Sequence, residues 1–116
     1  MTLKEKRVLF TKNIARLITF VNFNLADKGY ECAIDYCKRL KYEQDILVGN
    51  GLSKTHNSKH LEGLAADIIM YIHGVYQEDT SAYKILGDYW KSLDKNNVWG
   101  GDWKDFKDGN HFQYEK

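Results

Sequence analysis

Apolar positions in the first quarter of the chain recur with the helical period. Phe10, Ile14, Leu17, Ile18, Val21 and Leu25, with Leu3 one heptad further back, predict an amphipathic helix over residues 4–27. Gly29, after Asp27 and Lys28, supplies its stop. The pattern then changes to β-type: residues 30–39 predict a strand with Cys32, Ile34 and Tyr36 on one face. Residues 41–48 predict a short helix, and Val48-Gly49-Asn50-Gly51-Leu52-Ser53 a glycine-rich loop.

Ala65 to Ile72 is a continuous apolar run broken only by Asp67, the pattern of a buried central strand. A carboxylate there is costly unless it is paired or bound to metal, which singles out Asp67 on physical grounds. His73-Gly74 predicts a turn with a short return through Tyr76. Asp79-Thr80-Ser81 offers helix N-caps, and Tyr83, Leu86, Trp90 and Leu93 form the buried stripe of a helix ending near residue 94. Trp99-Gly100-Gly101-Asp102-Trp103 reads as a loop and residues 111–115 as a final strand.

A length of 116 residues sets the expectation of one domain, with a helix over 1–29 and an α+β core over 30–116. An apolar fraction of 43% is that of a folded globule, and a net charge of +1 argues against nucleic-acid binding as the main role. The basic bias of residues 1–16 fits a solvated helix face or weak attraction to an anionic surface. Cys32 and Cys37 lie an odd number of residues apart in one predicted strand, so their side chains face opposite ways and reduced thiols are expected. The expectation is synthesis in the cytoplasm without a signal peptide or a membrane span.

The chemistry concentrates in two segments. Ser58-Lys59-His60-Leu61-Glu62-Gly63-Leu64-Ala65-Ala66-Asp67 carries an imidazole and a carboxylate, and Asp108-Gly109-Asn110-His111-Phe112 carries a second pair. Two imidazoles and a carboxylate can hold a metal, and a further carboxylate can act as a base: the parts of metal-assisted hydrolysis.

The fixed positions Ser58, His60, Gly63, Ala65 and Asp67, then Asp108, His111 and Phe112, carry a family resemblance. The chain resembles the small zinc D-Ala-D-Ala carboxypeptidases and L-alanyl-D-glutamate endopeptidases that cut bacterial peptidoglycan, many phage endolysins among them. The resemblance covers residues 39–114, and the Trp99–Trp103 loop looks like that of the endopeptidase branch. It implies an α+β fold of the Hedgehog/DD-peptidase type: a small, mainly antiparallel sheet with helices packed on it and zinc in a surface cleft. By the same resemblance His60, Asp67 and His111 bind Zn2+ and Asp108 is the general base, its alternative being a turn cap before Gly109. Arg39, with Gln44 five positions on, would grip a substrate carboxylate, although the surrounding Cys37-Lys38-Arg39-Leu40-Lys41 departs from the family pattern and leaves Lys38 as the other candidate cation.

Ser58 would support the site through hydrogen bonds rather than attack substrate, and His56 would lie at its rim. Trp99 and Trp103 would either wall the substrate cleft or belong to the core. The expected activity is hydrolysis of the L-Ala–D-Glu bond of the peptidoglycan stem peptide by a monomeric phage or prophage lysis enzyme, released to the wall by a pore-forming partner. The alternatives are a D-Ala-D-Ala carboxypeptidase or dipeptidase, and a non-catalytic zinc module for wall attachment or a phage particle.

Overall fold

The structure is a computed structural model that describes residues 1–36 and 59–115. The expected short helix over 41–48, the glycine-rich loop after it, and Cys37, Lys38, Arg39, Gln44, His56 and Ser58 lie outside the described residues.

Helix α1 (Leu3–Thr19) starts at a reciprocal capping box: Glu5 N–H donates to Thr2 Oγ1 at 3.1 Å and Thr2 N–H to Glu5 Oε1 at 2.9 Å. The regular helix is shorter than its apolar stripe predicts. It widens into a π-turn over Phe20–Asn24, where Leu25 N–H bonds Phe20 O at 3.0 Å, and closes with a 3-10 turn over Ala26–Lys28. The wider turn keeps both Val21 and Leu25 in the core. Gly29, at φ +80°, ends the segment in the left-handed conformation.

Among the described residues five strands make one sheet in which every pairing is antiparallel: β1 (Tyr30–Tyr36), β2 (Ala65–Ile72), β3 (Val75–Tyr76), β4 (Asn97–Trp99) and β5 (His111–Tyr114). The order is β1-β2-β5-β4, and β2 is central. One edge of β2 takes β1; the other is shared by β5 at Ala65–Asp67 and β3 at Tyr71–Ile72. The β2–β3 connection is a two-residue turn with both His73 (φ 50°) and Gly74 (φ 78°) left-handed, the geometry that suits the twist of a tight hairpin. β1 is described over Tyr30–Tyr36, the rest of the expected strand to Arg39 lying outside the described residues, and a bulge between Ile34 and Tyr36 shifts its register. Ile34 is exposed near that bulge, whereas Cys32 is half-buried against the core. Cys32 is a free thiol, and burial pushes its pKa up to about 11.

The helices cover one face of the sheet. Phe10, Ile14 and Leu17 of α1 and Leu86 and Trp90 of α3 (Lys84–Leu93) meet Ala66, Ile68, Met70, Phe112 and Tyr114 in a single core. Each fully buried large apolar side chain contributes about 1.5–3 kcal/mol. Trp90 is the hub. Its ring meets Phe10 and Phe112 edge-on, and its Nε1–H is shared between Val98 O at 3.1 Å and Gln113 O at 3.3 Å, tying α3 to β4 and β5. Strand alternation then sends Asp67, His111 and Gln113 to the opposite face. Among the described residues no helix is long and apolar enough to cross a membrane.

Candidate metal centre

His60 enters from α2 (Lys59–Glu62), whose end is fixed by a Schellman pair: Leu64 N–H bonds Lys59 O at 3.0 Å and Gly63 N–H bonds His60 O at 3.2 Å. Gly63 takes φ +72°, which lets the chain turn at once from helix into β2 and brings Asp67 under His60. Arg7 of α1 donates to Glu62 O at 2.8 Å, so the basic face of α1 is not all solvated. Asp67 and His111 are cross-strand partners on β2 and β5, which puts their side chains side by side without any loop.

The three side chains converge on one point. Asp67 Oδ1 lies 3.3 Å from His60 Nε2 and 3.2 Å from His111 Nδ1, and the donor atoms of all three residues fall within 4.8 Å of one another. His60 and His111 are 2% and 5% exposed, whereas Asp67 keeps a path to solvent. Burial alone would raise the Asp67 pKa, but hydrogen bonds from His111 and His60, and their charge, outweigh it and hold the carboxyl at about 2. Burial opposes charge on His111 as well, yet the hydrogen bond and charge of Asp67, then Gln113 and Asp108, leave its pKa raised. The pocket therefore favours a cation beside an ionised Asp67.

A zinc ion fits that donor set. An ion about 2.0–2.1 Å from each ligand in tetrahedral geometry spans donor–donor edges of about 3.3–3.4 Å. The two edges at Asp67 Oδ1 are 3.2 and 3.3 Å, and the donors are two imidazole nitrogens and one carboxylate oxygen.

Asp108 stands three residues before His111 at the head of the turn into β5. Its carbonyl accepts from His111 N–H at 3.2 Å, its N–H donates to Gly100 O at 3.1 Å, and its side chain is half-buried. A Cβ on Gly100 would come within 2.3 Å of Asp108 O, so only glycine lets this turn close against the 3-10 turn Gly100–Asp102. The two tryptophans separate. Trp103 sets its ring 5.0 Å from that of His111, at the site. Trp99 is 4% exposed on β4, packed against Gly87 and Gly101, with Nε1–H donating to Gly109 O at 2.6 Å. It therefore stands in the core beneath the Asp108 turn rather than in the cleft.

Gln113 is a contact the sequence reading missed. Its Oε1 lies 2.7 Å from His111 Nε2, and its Nε2 donates to Glu115 Oε2. The signal was the period of the strand: in His111-Phe112-Gln113 the outer two residues share a face.

Residues 52–114 match the peptidase family described as D-alanyl-D-alanine carboxypeptidase. The chain belongs to this family. Over 91 residues it is 33% identical to the L-alanyl-D-glutamate peptidase of Listeria phage A118, a match that takes in 74% of this chain and 31% of that protein. The chain thus spans about a third of the length of this curated relative. Among solved structures it is similar to the L-Ala D-Glu endopeptidase of Serratia marcescens, at 27% identity and a TM-score of 0.67 over 86% of this chain and 78% of that one. A vancomycin-resistance D,D-pentapeptidase solved in complex with Zn(II) shares the fold at 16% identity and a TM-score of 0.58, over 92% of this chain and 71% of that one. The α+β architecture, with its antiparallel sheet and helical layer, is that of these two solved structures.

Proposed function

We propose that this chain is a zinc-dependent peptidase that cuts peptidoglycan stem peptides at the L-Ala–D-Glu bond. The observation that carries the reading is the convergence of His60 Nε2, Asp67 Oδ1 and His111 Nδ1 on one point, with Asp108 three residues from His111. The names of the phage relative and of the Serratia structure support the choice of bond. His60, Asp67 and His111 hold the ion, which when bound supplies a Lewis acid for the scissile carbonyl and lowers the pKa of water to roughly 7.

Asp108 takes a proton from the attacking water and delivers it to the leaving amine as the C–N bond breaks. Its half-buried position, and the negative charge it directs at His111, suit a base beside this cleft. Trp103 forms an apolar wall against His111 that keeps bulk water from the donors. Arg39, with Gln44 five positions on, is proposed from the family resemblance to bind a carboxylate of the stem peptide, and Ser58 to support the site through hydrogen bonds. A phage lysis role, with release to the wall by a pore-forming partner, fits the phage relative.

The test is a digest of purified peptidoglycan read by mass spectrometry. The zinc-loaded protein is expected to generate new D-Glu amino termini and leave L-Ala on the glycan, and a chelator should abolish the cut. Asp108→Asn should keep zinc and fold while losing roughly 100- to 10,000-fold in turnover. Release of free D-Ala alone would move the activity to the carboxypeptidase that the family description names. Binding to the wall with no product at all would make the domain a zinc module without catalysis.

A further inference from the structure

We propose that Gln113 is a positioning residue for the metal centre: it holds the proton of His111 on Nε2, so that Nδ1 turns a lone pair toward Asp67. The inference rests on the metal-centre reading and adds the part that selects the ligand atom of His111.

Three contacts form a directed chain. The carboxylate of Glu115 can only accept, so Gln113 must present its amide N–H to it. That choice fixes the opposite end of the same amide, and Gln113 Oε1 is left facing His111 Nε2 at 2.7 Å. A carbonyl oxygen can only accept, so Nε2 carries a hydrogen. In a neutral imidazole the other nitrogen, Nδ1, is then bare, and it is Nδ1 that lies 3.2 Å from Asp67 Oδ1. A bare lone pair facing a carboxylate oxygen at that distance is repulsive unless a proton or a metal ion stands between them. The network therefore leaves one position for a cation and aims His111 at it.

The placement of Gln113 supports a directional role. It is 8% exposed on the site face of β5, between Ala65 of β2 and Val98 of β4, where an unpaired amide would be penalised. Partners of this kind, on the far nitrogen of a ligand histidine, set its tautomer and ring orientation.

Zinc affinity is measured by competition with a chromophoric chelator for the wild type, Gln113→Leu and Gln113→Glu combined with Glu115→Gln. Long-range ¹⁵N–¹H spectra of the histidine rings are recorded on the zinc-loaded wild type. Gln113→Leu, which keeps the volume and removes the acceptor, is expected to weaken zinc binding roughly 10- to 100-fold. Gln113→Glu keeps an acceptor and, made together with Glu115→Gln so that the N–H between the two side chains is restored, should stay within about threefold of wild type, and the His111 ring should show its proton on Nε2 and a metal-bound Nδ1. Melting of the metal-free proteins separates this role from packing, since a packing role lowers the melting point of both variants and spares zinc affinity. Equal affinity in wild type and Gln113→Leu, or a zinc-loaded His111 with Nε2 unprotonated, overturns the role of Gln113 and leaves the metal centre standing. Failure of the wild type itself to take up zinc overturns both. The ring spectrum needs no variant, so the inference stays open to refutation if Gln113→Leu does not fold.

Discussion

Trp99 shows how far one side chain reaches from the core into the site. Its indole nitrogen donates to Gly109 O at 2.6 Å, directly after Asp108, while its ring packs where Gly87 and Gly101 have no side chain. Trp99→Phe removes part of the ring packing and leaves a buried carbonyl without its donor, the lost hydrogen bond alone costing about 1–3 kcal/mol. The melting temperature should fall by several degrees at roughly 4–8 °C per kcal/mol, with turnover reduced and zinc content retained. Calorimetry showing an unchanged melting temperature would deny the bond any role. The sequence could name Trp99 and Trp103 but not divide them, because the division depends on β4, a strand of only three residues. His60, Asp67 and His111 were legible as a group because a carboxylate inside an apolar strand is costly unless it is paired or bound to metal, and the structure brings the three together, whereas Asp108 kept a second reading as a turn cap. Gln113 was not legible, since a lone glutamine in a strand acquires meaning only through the atoms it meets.

At the scale of elements, the two long apolar patterns read correctly and the junctions did not. The run Ala65–Ile72 is the central strand as expected, and Tyr83, Leu86 and Trp90 bury the predicted stripe around α3. The helix over 4–27 instead breaks into α-helical, π and 3-10 pieces, because packing rather than periodicity decides where a helix ends. The π segment has its own task. Asn22 accepts from Cys32 N–H at 2.8 Å and donates to Cys32 O at 3.3 Å, giving the outer edge of β1 side-chain partners. α1 also reaches the candidate metal centre through Arg7, which holds the C-terminal carbonyl of α2. Arg7→Met preserves the aliphatic stem and removes that bond, a loss of about 1 kcal/mol for a hydrogen bond of ordinary net strength. Hydrogen exchange at the Gly63 and Leu64 amides should quicken and zinc affinity should drop several-fold. Unchanged protection at both amides would mean that α2 is held without α1.

Taken whole, the molecule assigns its two faces to different work. Helices α1 and α3 bury one side of the sheet, which leaves the other free to gather polar residues along β2, β5 and the end of α2. The three residues that could hold a metal come from three separate elements, yet each is fixed by backbone pairing: Asp67 and His111 by the β2–β5 register, His60 by the Schellman turn. A preorganised set of this kind should bind metal in the folded state alone and stabilise it in doing so. The most direct measurement is elemental analysis of the purified protein, set beside the melting temperature, for wild type and for His60→Ala, Asp67→Ala and His111→Ala. The account predicts about one zinc per wild-type chain, as a single three-residue site implies, with occupancy and zinc-dependent stabilisation lost in each variant. Full zinc retention in all three variants, or a wild-type protein that takes up no metal, would contradict it.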